Sequence, residues 1–465
     1  MATIPYAKKL SVLLISLSGL GISVTAQAVP SFSRQTSLAC IACHTQFPEL
    51  TPFGRQFKLN GYVMDSLKQI SASSLSKKDL LVLNQIPPLS LMFQASMTRT
   101  SKALPDSAIT GALAQNGQVQ FPQQVSFFYA GRIAPKMGAF IQITYDAGSG
   151  SWGMDNTDIR FADRYKNPLT PSDPLVWGFT LNNNPTVQDV WNTTPAWGFP
   201  YGSASAAPGS VASPLLDGTL GGDVGGLGAY VWWNNWLYAE ITGYRTARQG
   251  ATGPTGQGPL DSTNATVISG LSPYWRIAAE KDWGPNAWEA GLFGMDSKLF
   301  PGNGVALNGP TDNYNDVGFD TQYQWITDNQ DVTLQGRYIH ESQTLNAAFA
   351  SGGSSNLDNK LNELRLTASY LYDHQVGGTF GFFNTTGTTD ANLYAAGTAY
   401  SGSANNSPDT RGYVAELDYL PWLNTKLSLQ YTMYTKFNGG SSNYDGFGRN
   451  ASDNNTLYVL GWFNF

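Results

Sequence analysis

The sequence predicts a mainly β protein, a closed antiparallel transmembrane β-barrel of about sixteen strands. Three observations carry that expectation. Apolar and polar residues alternate with period two in segment after segment from position 87 onward, as strands do when one face meets lipid and the other a polar lumen. The links between these segments alternate long and short, the phase a bacterial barrel keeps with tight turns on one side and loops on the other. Charged residues are 13% of the 465 residues and aromatics also 13%, beside 49 glycines. An average soluble domain carries about 25% charge. A soluble β-sandwich would show more charge and has no reason to keep the phase of its links.

The chain opens with Lys8 and Lys9, an apolar stretch over 10–24 and the small-x-small triplet Ala26-Gln27-Ala28. This predicts a cleaved signal peptide over 1–28 and export. The stretch is short for a membrane helix, and nothing later supplies one. Val29 follows the cleavage site where a lipid anchor would need Cys. The net charge of −6 argues against nucleic acid as a partner.

The two cysteines of the chain both lie in Cys40-Ile41-Ala42-Cys43-His44. Two thiols three positions apart can each add to a haem vinyl group, and the following His can reach the iron from the proximal face. The alternative is a thioredoxin-like Cys-x-x-Cys, which needs a βαβ context and a reducing compartment; neither is apparent. The fold class therefore gains a small N-terminal monohaem cytochrome c segment over 29–85, with one covalent haem c, ahead of a barrel over 86–465. Pro48 and Pro52 are expected to break any long helix, and Asn60-Gly61 marks a turn. Met64 is the only Met of this segment and the default distal iron ligand, its alternative role being filler in a small apolar cluster. The expected cofactor-binding residues are thus Cys40, Cys43, His44 and Met64, with His44 and Met64 on the metal. Arg34, Arg55 and Lys58 could pair with the haem propionates or remain solvated.

Phe32-Ser33-Arg34-Gln35-Thr36, the Cys40–His44 motif, and the run from Phe47-Pro48-Glu49-Leu50 through Asn60-Gly61-Tyr62 resemble the opening of the fused monohaem cytochrome–porins. These are outer-membrane proteins best known from iron-oxidising bacteria. The stretches 182–189 and 191–201 are also similar to that family. The resemblance implies a haem domain joined to a porin-like barrel. It also implies an Fe(II)-oxidising oxidoreductase that passes electrons from an extracellular donor to a periplasmic carrier such as a soluble cytochrome. Iron as donor is implied less firmly than the architecture.

Sixteen strands are expected, centred near 93, 128, 142, 161, 178, 231, 241, 278, 292, 321, 337, 367, 382, 415, 431 and 460. Leu427, Leu429, Tyr431 and Met433 take one face against Ser428, Gln430, Thr432 and Tyr434. Long links are expected over 101–120, 147–156, 182–226, 247–270, 299–313, 345–360, 387–409 and 438–454, with tight connections between. Leu457, Val459, Gly461, Phe463 and Phe465 share a face, and the terminal Phe resembles an outer-membrane assembly signal. His340 and His374 keep the lipid-facing phase and are expected in the interfacial belt. Asp320, Glu363, Glu289, Glu240 and Glu416 are expected to face the lumen beside Arg132, Arg337 and Arg365. The link over 182–226 carries Trp191, Trp197, Phe199 and Tyr201 and is expected to fold inward over the haem segment or to remain a simple exposed loop.

Two functions are open on this reading. The first is an outer-membrane electron-transfer protein with its haem in a plugged lumen. The second is a diffusion porin whose haem segment is structural, sensory or serves another redox partner. A soluble periplasmic cytochrome with a β-rich domain is a third, and it would fractionate away from the membrane.

Overall fold

The structure, a computed structural model, describes residues 30–465 apart from 65–66, 68, 72–81, 105–116, 147–149, 166–173, 195, 248–266, 302–308 and 398. The expected signal peptide lies outside the described residues. No helix among them is long and apolar enough to cross a membrane. The N-terminal segment forms three short helices, α1 (Pro30–Thr36), α2 (Cys40–Cys43) and α3 (Pro52–Leu59), then two short paired strands, β1 (Gln69–Ser71) and β2 (Val82–Asn84).

The barrel follows as β3 (Leu89–Thr100), β4 (Gln118–Ala134), β5 (Met137–Asp146), β6 (Ser151–Tyr165), β7 (Leu175–Asn182), helix α4 (Pro185–Gln188), β8 (Val224–Trp233), β9 (Leu237–Thr246) and a two-residue piece β10 (Val267–Ile268). It continues with β11 (Ser272–Trp283), β12 (Asn286–Phe300), β13 (Asp312–Ile326), β14 (Gln330–Leu345), helix α5 (Asn346–Ser351) and β15 (Asp358–Tyr372). The last strands are β16 (Val376–Gly387), β17 (Thr410–Trp422), β18 (Thr425–Lys436) and β19 (Thr456–Asn464). Every long strand pairs antiparallel with its sequence neighbours, β9 with β11 across β10, and β19 with β3. The sixteen long strands therefore form a closed ring. Closure is what lipid demands, because an open edge would leave backbone donors and acceptors without partners.

Each expected strand centre falls inside its strand. The period-two pattern becomes an apolar exterior and a polar interior. Leu227 (67%), Leu417 (66%) and Ile241 (64%) are among the most exposed side chains, whereas Ser428, Gln430, Asp320 and Gln322 are buried. Trp233, Trp236, Trp283, Tyr372, Trp422 and Phe465 are exposed at the tight-turn end, forming an aromatic girdle. One link departs from expectation. The connection expected over 147–156 is shorter, because β6 already begins at Ser151 and pairs Asp146 with Ser151.

The N-terminal segment lies inside this cylinder. Arg55 on α3, 1% exposed, forks onto Glu280 of β11 with two contacts of 2.9 Å and also donates to Gln322 and Gln324 of β13. Tyr62 donates to Asp158 of β6 at 2.7 Å, and Tyr230 of β8 donates to the Leu59 carbonyl at 2.7 Å. Leu59 packs with Val190, Trp191, Tyr230, Trp232 and Tyr238 in one apolar cluster. Pro52 starts α3 rather than breaking it, since Pro suits the first turn and the Thr51 side chain caps the Gly54 amide.

The link 183–223 also folds inward, covering the segment from the long-loop end. Lys58 donates to the Val187 carbonyl, Asn192 to the Pro48 carbonyl at 2.9 Å, and Tyr201 to Glu49 at 2.9 Å. The lumen acids are buried, four of the five in ion pairs, while Glu240 accepts from the Tyr238 and Thr242 hydroxyls. Asp320 and Glu289 meet Arg276, Glu363 meets Arg337 and Arg365, and Glu416 meets Lys426. Arg132, grouped with them in the sequence reading, instead donates to the carbonyls of Ala134 and Pro135.

Candidate functional site

The site is built from one helical turn and the loop after it. Residues three apart on a helix share a face, so the single turn of α2 sets Cys40 and Cys43 side by side, neither in a disulfide. Burial pushes the Cys40 thiol up to about 12 and the Cys43 thiol up to about 11. A redox Cys-x-x-Cys works through a lowered thiol, so the environment is the opposite of a thioredoxin-like site.

His44 caps this turn, and its Nδ1 lies 3.2 Å from the Glu49 carbonyl. That contact assigns the proton to Nδ1 and leaves Nε2 with a free lone pair, the tautomer that ligates a metal. Burial holds the imidazole down to about 4, in the neutral form. Glu49 is itself held by Thr45 and by Tyr201 of the infolded link. Thr51 donates to the Ala42 carbonyl at 2.7 Å, tying α2 to the cap of α3.

His44 and Cys43 open onto a cavity that is partly continuous with solvent. Its walls are mostly apolar, with Phe32, Phe47, Phe57, Phe140, Val187 and Trp197 prominent. Phe47 lies 5.2 Å from His44, 5.7 Å from Trp197 and 4.9 Å from Trp462 between ring centroids. Paired thiols, an anchored imidazole and an apolar chamber are a donor set that fits a covalently held porphyrin. Cys40, Cys43 and His44 are the residues that would hold one, Cys43 and His44 from the chamber's own wall and Cys40 from the adjoining space.

Met64 is not in that chamber. It lines a separate opening at the tight-turn end with Phe53, Gln56, Val63, Lys136 and Arg164, and Phe57 borders both spaces. A third, small space brings Cys40, His44 and Phe47 together with His374. This corrects the sequence reading of His374. Asp373 and His374 both take left-handed φ near 51°, which swings the imidazole off the strand's phase and inward. His340 does keep its lipid-facing place, opposite the exposed Val317.

Above the chamber, at the long-loop end, lies a vestibule of about 1430 Å³ open to solvent, bordered by Phe199, Asp217, Glu363, Arg365 and Tyr434. Ala196 lines both the vestibule and the chamber. Among the described residues, no group of three or more His, Cys, Asp or Glu is placed to hold a metal ion.

No family model matches the chain, and no curated protein matches it. Solved structures similar to it include proteins described as outer-membrane channels and porins. The outer-membrane channel DcaP of Acinetobacter baumannii is 10% identical over 81% of this chain and 96% of its own, with a TM-score of 0.47. OmpF of Salmonella typhi in complex with daunomycin is 14% identical over 81% and 97%, TM-score 0.44. An anion-selective porin from Comamonas acidovorans is 10% identical over 81% and 98%, TM-score 0.42. On its own strand pairing the chain is a closed sixteen-strand antiparallel β-barrel.

Proposed function

We propose that this chain is an outer-membrane electron-transfer protein, exported through a cleaved signal peptide. It takes electrons from an extracellular donor, Fe(II) foremost, and delivers them through one covalent haem c to a periplasmic carrier. The observation that supports this reading is the His44 chamber, which shares Ala196 with the outer vestibule while His44 also borders the space at the tight-turn end. One redox centre there would stand between the two sides of a closed barrel. Haem, when bound, supplies one-electron chemistry at its iron, so no general base or nucleophile is asked of the protein.

The chain's own residues do the rest. The Glu49 carbonyl orients His44, and Tyr201 steadies Glu49. Phe32, Phe47 and Phe57 give the chamber an apolar wall. Arg55, clamped on Glu280, fixes α3 and with it the floor of the site. The segment around Ala196 and Trp197 separates donor from chamber, so the ferric product stays outside. The test is to purify the full chain, confirm covalent haem by intact mass, mix it with Fe(II) and follow the absorbance. Reduction of the c-type spectrum is expected, and its loss in His44→Ala. A spectrum indifferent to Fe(II) would sink the iron assignment.

A diffusion porin is the second reading, favoured by the solvent-open vestibule and its mixed charges. It requires conductance through the full-length chain.

A further inference from the structure

The chamber's walls hold two hydrogen-bond donors whose needs the fold does not meet. Lys58 reaches it from α3, and its ammonium, with three N–H groups, has the Val187 carbonyl as partner. No carboxylate among the described residues lies within ion-pair distance of it. The nearby acids are taken by other groups, Asp158 by Arg160, Tyr62 and Thr180, Asp189 by Thr193, the Thr194 amide and Arg276, and Glu240 by Tyr238 and Thr242. The second donor is the indole N–H of Trp197, buried and without a partner among the described residues. Buried donors such as the Trp197 N–H are almost always satisfied, and a half-buried ammonium such as that of Lys58 gains from an anion beside it. Two such groups in one otherwise apolar chamber call for an occupant that carries acceptors, with negative charge.

We propose that Lys58 and the Trp197 N–H receive the propionate carboxylates of the porphyrin held by Cys40, Cys43 and His44. This rests on the reading of the site as a c-type haem site. Among the described residues, the other cations of the segment are committed elsewhere. Arg55 is saturated by Glu280, Gln322, Gln324 and the Leu50 carbonyl, and Arg34 donates to the Leu89 carbonyl at the barrel rim. Lys58 is therefore a positioning residue that also sets the field at the iron. A cation on a propionate favours the reduced centre and raises its potential.

The test uses the full-length protein with covalent haem verified by intact mass. Lys58→Met is expected to shift the midpoint potential to more negative values and to move the propionate bending band in the resonance Raman spectrum. Lys58→Arg is expected to restore both towards wild type, which a merely structural lysine would not do. Trp197→Phe is expected to move the Raman band with a smaller change in potential. A haem-loaded Lys58→Met protein with wild-type potential and band overturns the inference while leaving the haem reading intact. If Lys58→Met does not assemble, an unmoved band in Trp197→Phe overturns it instead. A wild-type chain without covalent haem overturns the haem reading itself, and this inference with it.

Discussion

Gly54 faces the backbone of the Cys40–His44 motif. A Cβ there would lie 2.2 Å from the Cys43 carbonyl oxygen and 3.1 Å from its Cα, so α2 and α3 meet closely only because this position has no side chain. Overpacking of this kind typically costs about 1–3 kcal/mol, and here the clash is with backbone that cannot swing aside. Gly54→Val is therefore expected to lower haem incorporation per polypeptide several-fold, measured as haem stain against protein stain. Met64 sits across Phe57 from the chamber. Met64→Ala is accordingly expected to leave the reduction potential of the full-length protein unchanged. A marked fall on substitution would show that the thioether ligates after all.

At the scale of elements, α3 is bound to the barrel wall chiefly through one buried charge pair. Arg55 and Glu280 are both about 1% exposed along their side chains. Removing one partner of such a pair strands the other charge, at roughly 3–5 kcal/mol. Arg55→Leu is expected to lower the temperature at which the folded, fast-migrating band on a semi-native gel converts to the unfolded one. Arg55→Leu combined with Glu280→Leu should recover part of that loss.

The long loops carry their own fasteners. Burial alone would raise the Asp390 carboxyl, yet hydrogen bonds from the Leu393 and Ser355 amides, Ser354 and Asn359 hold it well below the usual carboxylate range. A carboxyl lowered on folding contributes stability above its unfolded value, about 3.9, and loses it as pH falls towards the folded one. Pepsin cleavage within 346–409 is expected to rise as pH drops below about 4. Asp390→Asn should be cleaved already at higher pH, by a protease active there.

For the whole molecule, the lumen is filled from both ends. The N-terminal segment enters at the tight-turn side and the link 183–223 at the other, and the two bond to each other through Lys58, Asn192 and Tyr201. In a planar bilayer the full-length chain is expected to conduct far less than an open sixteen-strand porin. Replacing Arg55, Tyr62 and Asn192 together should raise the conductance. An intact chain that conducts like an open pore would favour the diffusion-porin reading over the plug.

The strand count, the alternation of long and short links and the Cys40–Cys43–His44 motif were legible in the order of residues. Period-two patterning and three-residue spacing are local properties, fixed by backbone geometry whatever the rest of the chain does. Other features depend on groups far apart in sequence. No pattern announces that Arg55 will meet Glu280, 225 positions on, or that Lys58 and Trp197 will border one chamber. The expected distal partner illustrates the limit. Met64 is the nearest Met in sequence, but the turn at Gly61, φ 71°, carries it to a different opening. His374 shows the reverse, since two consecutive left-handed residues cancel the strand phase that assigned it to lipid. The sequence by itself determined a sixteen-strand barrel with a Cys-x-x-Cys-His motif at its head. Only the tertiary structure decided that the motif lies inside the barrel, because burial in a shared lumen is a property of both chain ends of the cylinder together.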